Sequence, residues 1–466
     1  IMLTVRYLVL PHVNEWRPQI EQRLTESFGS PVTVGDVIAN WSGLNPTLSI
    51  ANLNIRTPQG NTLLNIPKTD AIVSWRSLLV LDLRLKHLDI NGIDISVERQ
   101  ADGKLSVAGY VLEAMPDTPF TLGSDTLATR WLLGQGEIVV HGATLRWRDL
   151  QRGTPELALT DVDFALTNGL FSHRLFFRGA APEKLAKSFE LIVRADHLLG
   201  PLGTAASQHA EVYVEFQDLA PAALLPWIDL PEISGRFAGR AWIDVQQGKF
   251  ATTTLDIAGS KVGAAIPSSP NTAVFAQRVK LRLSGLLGDI LPMVRSDLLA
   301  VSTGTAAIVD VQASAEGATL DSQIFQPSLV VAQKADLKMK LDHLHDPVSA
   351  HIDALTLSNN HLELNLKGDW HAGGASAAGV ANMTGMIVRL SAPELYRYLT
   401  VNTTESVRQW LRESLLQGEF RQAALTLQGD LSEFPFNQTH QKGIFKIDGL
   451  YQNLLLDYSP ANGDVR

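Results

Sequence analysis

The sequence predicts a long, mainly antiparallel β protein, on three observations. Apolar residues recur at every second position through most of the chain, which gives an extended strand one greasy face and one polar face. Clusters of Gly, Asn and Asp separate these runs, as turn residues do. Stretches with helical spacing are few and short, so little helical surface is on hand to cover so many strands. At 466 residues the chain exceeds what one ordinary core serves, which implies roughly two to four domains or one elongated array.

The elements follow in order. Residues 1–13, IMLTVRYLVLPHV, are apolar but too short to span a bilayer and are interrupted by Arg6; the stretch reads as the last turns of a membrane anchor or as a short buried element. His12 to Gly29 is the clearest helix, with Val13, Trp16, Ile20, Leu24 and Phe28 at three- and four-residue steps and Gly29-Ser30-Pro31 to end it. Alternation then dominates, in Leu48–Ile55, Ala143–Leu150, Leu157–Leu166, Glu211–Phe216, Arg278–Gly285, Ala335–Leu344, His351–Trp370 and Leu425–Leu431. The sharpest case is Ser77–Arg99. Leu79, Leu81, Leu83 and Leu85 alternate with Asp82, Arg84 and Lys86, and the phase slips at His87 before Leu88 and Ile90. Asn91-Gly92 predicts a tight hairpin that returns through Ile93, Ile95 and Val97, and Asp102-Gly103 a second turn into Leu105 and Val107. Short helices are expected at Pro182–Phe189, Pro221–Ile228, Pro393–Leu399 and Thr404–Gln417. The last has Asn402 as N-cap, Gly418 past its end, and an apolar stripe of Val407, Trp410, Leu411 and Leu415 to pack on a sheet.

Composition narrows the function. A formal net charge of −9 argues against nucleic acid. The absence of cysteine removes disulfides, thiolate nucleophiles and thiolate metal centres. No nucleophile elbow, phosphate-binding loop, zincin helix or dinucleotide fingerprint occurs, and no enzyme, metal or cofactor is expected. His343, His345, Asp346 and His351 have a spacing that metal sites use, but solvent-facing imidazoles beside a turn account for it. Among the tryptophans, Trp147 is in phase with Leu145 and predicts an inward-facing sheet residue, while Trp41 and Trp75 flank turns at sheet ends. A weak Leu-x-Leu-x-Gly echo at Leu281–Gly285, Leu364–Gly368 and Leu425–Gly429 is too irregular for a solenoid period.

What covers the greasy face is left open by alternation: a second sheet, closure into a barrel or β-helix, or an apolar ligand. Two stretches bear on it. RPQIEQRLTESFGSPVTVGDVIANWSGLNPTLSIANLNI (Arg17–Ile55), with Ser74–Gly109 behind it, and WLRESLLQGEFRQAALTLQGDLSEFPF (Trp410–Phe436), with Gly443–Pro460 behind it, resemble the AsmA-like proteins of the Gram-negative envelope, most closely the YhdP branch. The features that carry the resemblance are Arg17-Pro18, Trp41 with Leu44-x-Pro46, Trp75-x-Ser77-Leu78-Leu79, Gly429-Asp430-Leu431, Phe434-Pro435-Phe436 and Tyr458.

That resemblance implies an elongated, twisted antiparallel β-sheet groove with a short N-terminal helix and a few short interrupting helices. It implies a periplasmic bridge for phospholipids between inner and outer membrane, held by an inner-membrane anchor upstream, of which this chain is the N-terminal fragment. The expected organisation is anchor end and helix over 1–29, a first groove unit over 30–180, middle units over 181–390, and a helical interruption with the start of a further unit over 391–466. Acyl chains would cover the greasy face. At about 0.8 kcal/mol per methylene, two chains of roughly fifteen carbons resist escape into water by about 20 kcal/mol. The lipid-facing candidates are Leu79, Leu81, Leu83, Leu85, Ile93, Ile95, Val97, Leu145, Trp147, Leu281, Leu283, Leu364, Leu366, Leu425 and Leu427, with Arg99, Lys104 and Arg146 as rim cations. The competing expectation is an envelope scaffold of stacked sandwiches that conducts no lipid. A β-helical polysaccharide binder or hydrolase is disfavoured by the abundant hairpin dipeptides.

Overall fold

The computed structural model describes residues 15–460 apart from a few single positions and the segments 57–61, 78–83, 112–132, 197–208, 228–231, 247–248, 266–272, 287–307, 322–328, 343–346, 374–378, 400–402 and 437–441. Helix α1 (Arg17–Phe28) leads into β1 (Val32–Thr33), β2 (Val37–Ser42), β3 (Asn45–Arg56) and β4 (Thr62–Val73). Next come β5 (Leu85–Asn91), β6 (Asp94–Arg99), β7 (Leu105–Val107), β8 (Tyr110–Val111), β9 (Glu137–Asp149), β10 (Leu157–Asn168) and β11 (Ser172–Ala180). The middle of the chain forms β12 (Ser188–Asp196), β13 (His209–Leu219), β14 (Ile233–Gln246), β15 (Lys249–Ala265), β16 (Ala273–Leu286), β17 (Ile308–Asp321) and β18 (Leu329–Asp342). The last part adds β19 (Ser349–Ser358), β20 (Leu362–His371), β21 (Val380–Ser391), helix α2 (Glu405–Ser414), β22 (Leu415–Asp430) and β23 (Ile444–Leu456).

These strands make one sheet. From β9 to β23 each pairs antiparallel with the next in sequence. At the other end β1 and β2 share an edge of β3, and β3 pairs with β4 and β4 with β5. The join between the two parts is parallel: Leu88 lies opposite Ile138, and Ile95 opposite Leu145.

That join corrects the Asn91-Gly92 reading. β5 and β6 are successive halves of one strand lying beside β9, not the two arms of a hairpin. A type I′ turn needs positive φ at both central residues, and of this pair only Gly92 has it, at φ 70°. Gly92 donates its N–H to His141 O at 2.9 Å, which holds the jog in the ladder. Asp102-Gly103 is a turn as expected, with Arg99 opposite Leu105.

The jog belongs to a larger pattern. In β3 the apolar phase shifts from Leu48 and Ile50 to Leu53 and Ile55 across Asn52 (φ 52°). In β9 it shifts from Ile138 and Val140 to Ala143 and Leu145 across Gly142 (φ 58°), and in β10 from Leu157 and Leu159 to Val162 and Phe164 across Asp161 (φ 49°). One extra left-handed residue is a β-bulge: it bends the strand and returns both halves to the same face. These bulges lie on adjoining strands and form a crease. Residues from both sides of it pack together: Ile90, Val140 and Leu159 share a cluster with Ile93, Ala143, Leu145 and Val162. A second line of left-handed residues runs through Asp218, Lys261 and Gly317, and Gln422 repeats the device in β22. The apolar clusters are accordingly small and strung along the sheet, not gathered into one centre.

The expected helices shrink or move. The N-terminal helix is described from Arg17 to Phe28. Pro182–Phe189 is only a turn, with Leu185 N–H and Ala186 N–H bonded to Pro182 O, because Phe189 is taken into β12 opposite Phe216. Pro221–Leu224 and Ala392–Tyr398 are 3₁₀ turns with Pro at their starts. α2 ends at Ser414, so Leu415 and Gly418 belong to β22, and Thr404 is its N-terminal flank instead of Asn402, which lies outside the described residues. Its stripe is split: Leu411 is partly buried and Leu415 buried, but the other two members face outward. Val407 and Trp410 are 47% and 40% exposed while Arg408 and Ser414 are buried, Arg408 reaching Leu399 O.

Candidate functional site

The site is the apolar face itself, and its continuity is a matter of register. Directly opposed residues in a sheet point to the same side. One such row begins Val37–Ile50–Thr69–Ile90–Val140–Phe164–Phe177 on β2, β3, β4, β5, β9, β10 and β11. It continues Leu191–Val214–Ala241–Leu255–Leu283–Val311–Met339 through β18. It closes with Ile352–Gly368–Met383–Leu427–Phe445 on β23. Every member is apolar except Thr69 and Gly368. At an inter-strand spacing of about 4.8 Å the row follows the sheet for roughly 85 Å. A parallel row two residues away runs Phe189–Phe216–Gly239–Ile257–Leu281–Ala313–Leu337–Leu355–Leu366–Gly385–Leu425–Ile447.

The opposite face is charged, and its charges pair across strands. Arg194 meets Glu211 at 3.4 Å, Arg240 meets Glu215 at 3.3 Å, Arg282 meets Asp256 at 2.6 Å, and His351 meets Asp369 at 2.6 Å. Arg278 and Glu316 form a further pair. The guanidinium of Arg282 holds the Asp256 carboxyl below its usual range, first by hydrogen bonding. Exposed pairs of this kind add little stability; they keep the outer side polar.

Cover over the apolar face is uneven. Near β5, β9 and β10, Leu133 packs on Ile138 and Leu166, and Gln135 beside it is fully buried, its Oε1 accepting from Leu85 N–H at 2.8 Å. Over β20–β22, Leu395 and Tyr398 pack on Ile387, Leu390, Ala423 and Leu425, and Tyr398 Oη accepts from Asn359 Nδ2 at 3.0 Å. Burial pushes the Tyr398 phenol pKa upward. Between these plugs, among the described residues, the clusters around Val193, Val212 and Val245, and around Leu283, Val309 and Val311, consist of strand residues alone.

The sequence candidates distribute as follows. Leu281, Leu283, Leu366, Leu425 and Leu427 lie on the two rows, and Leu364 one step along β20, opposite Leu357 and Ile387. Ile95 opposes Leu145 and Val97 opposes Trp147 on the β6–β9 join, with Ile93 buried beside them. Leu85 is buried at the start of β5, whereas Leu79, Leu81 and Leu83 lie outside the described residues, as do His343, His345 and Asp346. The rim cations are already matched with acids: Arg99 with buried Asp149 at 3.6 Å, Lys104 with Asp102 at 3.3 Å, and Arg146 with Asp94 and Glu156, both at 3.0 Å. Trp41 and Trp75 pack on one another, ring centroids 6.2 Å apart. Val214, Val311, Met339, Ile352 and Phe177 were not singled out. Their signal was present as alternation in β11, β13, β17, β18 and β19, but only pairing register shows that they are one row.

Among the described residues no group of three or more His, Asp or Glu is placed to hold a metal ion, and no helix is long and apolar enough to cross a membrane. The class these features define is a long β-sheet protein with a one-sided apolar surface. The chain belongs to the YhdP family, whose model, described as YhdP protein, matches residues 1–286. It is also similar to the "Intermembrane phospholipid transporter YhdP" of Escherichia coli (strain K12), with 28% identity over 81 residues, which is 17% of this chain and 6% of that protein. No solved structure matches.

Proposed function

We propose that the apolar face shields phospholipid acyl chains in transit between the inner and outer membranes, in the periplasm of a Gram-negative cell, with the chain held at the inner membrane and performing no chemistry. The observation that carries this reading is the apolar row from Val37 to Phe445, interrupted only by Thr69 and Gly368, backed by a charged outer face. Sheet cores normally close against a second layer; here long parts of the row pack only against strand neighbours among the described residues. The lining comprises Ile93, Ile95, Val97, Leu145, Trp147, Leu281, Leu283, Leu364, Leu366, Leu425 and Leu427, and the reading extends to Leu79, Leu81, Leu83 and Leu85. The name of the E. coli relative supports phospholipid as the cargo. Movement along such a surface needs no covalent step, because each methylene leaves one apolar patch for the next without meeting water.

The test is native mass spectrometry with lipid extraction on the chain purified from a membrane-containing host. Leu337 and Leu355 face each other across β18 and β19 and are both partly exposed, so Leu337→Asn with Leu355→Asn polarises the surface without emptying a core. Phospholipid is expected on the wild type and depleted in the double variant at unchanged far-UV circular dichroism. A folded wild type free of lipid, or an equal load on the variant, overturns the reading in favour of a scaffold.

A further inference from the structure

On the charged face of β16 three cations stand in line, at Arg278, Lys280 and Arg282. The outer two are matched across the ladder, Arg278 with Glu316 of β17 and Arg282 with Asp256 of β15. The middle one is not. Directly opposite Lys280 stand Ala258 on one side and Ser314 on the other. Among the described residues Lys280 makes no ion pair, although a like charge flanks it two residues away in each direction. A cation held between two others, with small neutral neighbours across both ladders, favours a counter-ion from outside the chain.

β17 and β18 supply the rest of the setting. Gln312 lies opposite Arg282, Ser314 opposite Lys280, and Lys338 on the far side of Gln312. Lys338 also makes no ion pair among the described residues, because Asp336 beside it is held by Lys334 at 2.9 Å. Lys280 and Lys338 thus flank an amide and a hydroxyl, their Cα atoms two strands and two residues apart, roughly 12 Å. Two four-carbon stems can close that gap. All four side chains line an open furrow of about 940 Å³ on this polar side. Each acid in its lining already has a cation: Glu215 has Arg240, Asp256 has Arg282, Asp336 has Lys334 and Asp218 has Arg236. The charges left over, Lys187, Lys280 and Lys338, are all positive, in a chain whose formal net charge is −9. The donor set also selects the kind of anion. The guanidiniums on β16 are engaged with carboxylates, so no fork is offered to a planar carboxylate ligand. Two point charges and two neutral donors converge instead from four corners, which suits a tetrahedral phosphate with three or more acceptor oxygens. Toward β14 the furrow runs over the small side chains of Ala258 and Ala238, leaving room for the organic part of an ester.

We propose that Lys280, Gln312, Ser314 and Lys338 form a binding site for the phosphate group of a phosphate ester, whose organic part lies along the furrow over Ala258 and Ala238. It sits on the side of the sheet opposite the apolar row and does not depend on lipid carriage.

The experiment is isothermal titration calorimetry of the full chain, at about 50 mM salt, with two dianions, glycerol 3-phosphate and succinate. Glycerol 3-phosphate is expected to bind at about 1 mM or tighter, and about fivefold or more tighter than succinate. Lys280→Gln and Lys338→Gln should each weaken it about fivefold or more. Lys367→Gln, which removes an equally exposed lysine of β20 outside the furrow, should leave it unchanged. All three lysines are exposed, so the fold survives each change, as far-UV circular dichroism would verify. Flotation with phosphatidylcholine vesicles, with and without phosphatidic acid, identifies the source of the phosphate. Retention on the acidic vesicles that Lys280→Gln abolishes assigns it to a lipid headgroup, and binding of glycerol 3-phosphate without retention assigns it to a soluble ester. The proposal is overturned if glycerol 3-phosphate does not bind at about 20 mM or if succinate binds as tightly. It is equally overturned if Lys367→Gln weakens binding as much as Lys280→Gln does.

Discussion

Removing the single residue Gly142 should do far more damage than mutating it. Gly142 holds φ 58°, and a Cβ placed on it meets nothing within 4 Å, so Gly142→Ala costs only the left-handed conformation. That is roughly 1–2 kcal/mol, offset by roughly 0.4–1 kcal/mol from the stiffer unfolded chain, leaving about 1 kcal/mol. Deletion is different in kind. It takes the extra residue out of the bulge and turns Ala143, Leu145 and Trp147 to the charged face while Thr144 and Arg146 turn inward. Ala143 is 3% exposed and the other two are partly buried. With full burial of a large side chain worth about 1.5–3 kcal/mol, and Arg146 losing Asp94 and Glu156, the sum is roughly 4–6 kcal/mol, close to the whole stability of many domains. Gly153 is the control: φ 63°, likewise nothing within 4 Å, but in the turn between β9 and β10. Urea denaturation followed by far-UV circular dichroism should give equal midpoints for the two alanine variants and a much lower one for the Gly142 deletion than for the Gly153 deletion. Equal loss in the two deletions would refute the view that the crease keeps both halves of each strand on one face.

Two further outcomes follow from titrating groups. His173 is 8% exposed with Nδ1 2.8 Å from Asn168 Oδ1, and burial lowers its pKa below 6.5. The unfolded chain therefore takes up the proton first, and stability present above pH 6.5 is lost as pH falls toward the folded pKa; His173→Gln should flatten the melting temperature between pH 7.5 and 5.5. Asp70 accepts from Ser49 Oγ at 2.5 Å, which with Lys68 pulls its pKa below 3.8. A depressed carboxylate stabilises the fold above its unfolded pKa and ceases to as pH falls through its folded value, so Ser49→Ala should raise the Asp70 pKa in a ¹³C NMR titration and shift acid unfolding to higher pH.

The β class and the apolar face of the strands were legible because alternation is local, and β9, β16 and β22 carry it in a few consecutive residues. The crease was legible too but misread. The phase slips beside Asn52, Gly92, Gly142 and Asp161 stand in the sequence, and at Asn91-Gly92 turn chemistry gave the hairpin reading where a bulge was correct. The same residues serve both because both need positive φ, and only the neighbour across the ladder tells them apart. That neighbour, β9, lies some fifty residues downstream in parallel, which no local pattern announces. For α2 the spacing of Val407, Trp410 and Leu415 was real, but the sheet drew Leu415 into β22 and the helix seated Arg408 inward against Leu399 O. Lys280 had no signal of its own: one cation on the polar phase of RVKLRL becomes conspicuous only with Ala258 and Ser314 opposite it.

The nearest-neighbour order of β9 to β23 has a mechanical consequence. Each strand is held by the two that adjoin it in sequence, so stability is close to a sum of local terms, as in stacked repeats. Tension applied through the ends would peel such a sheet one strand at a time, each release spilling a short length of chain at modest force, while strands further in keep their pairing. The parallel clasp of β5 and β6 on β9 works otherwise, since opening it frees the whole stretch between them at once. A molecule built this way lengthens under load in small steps and heals in the reverse order.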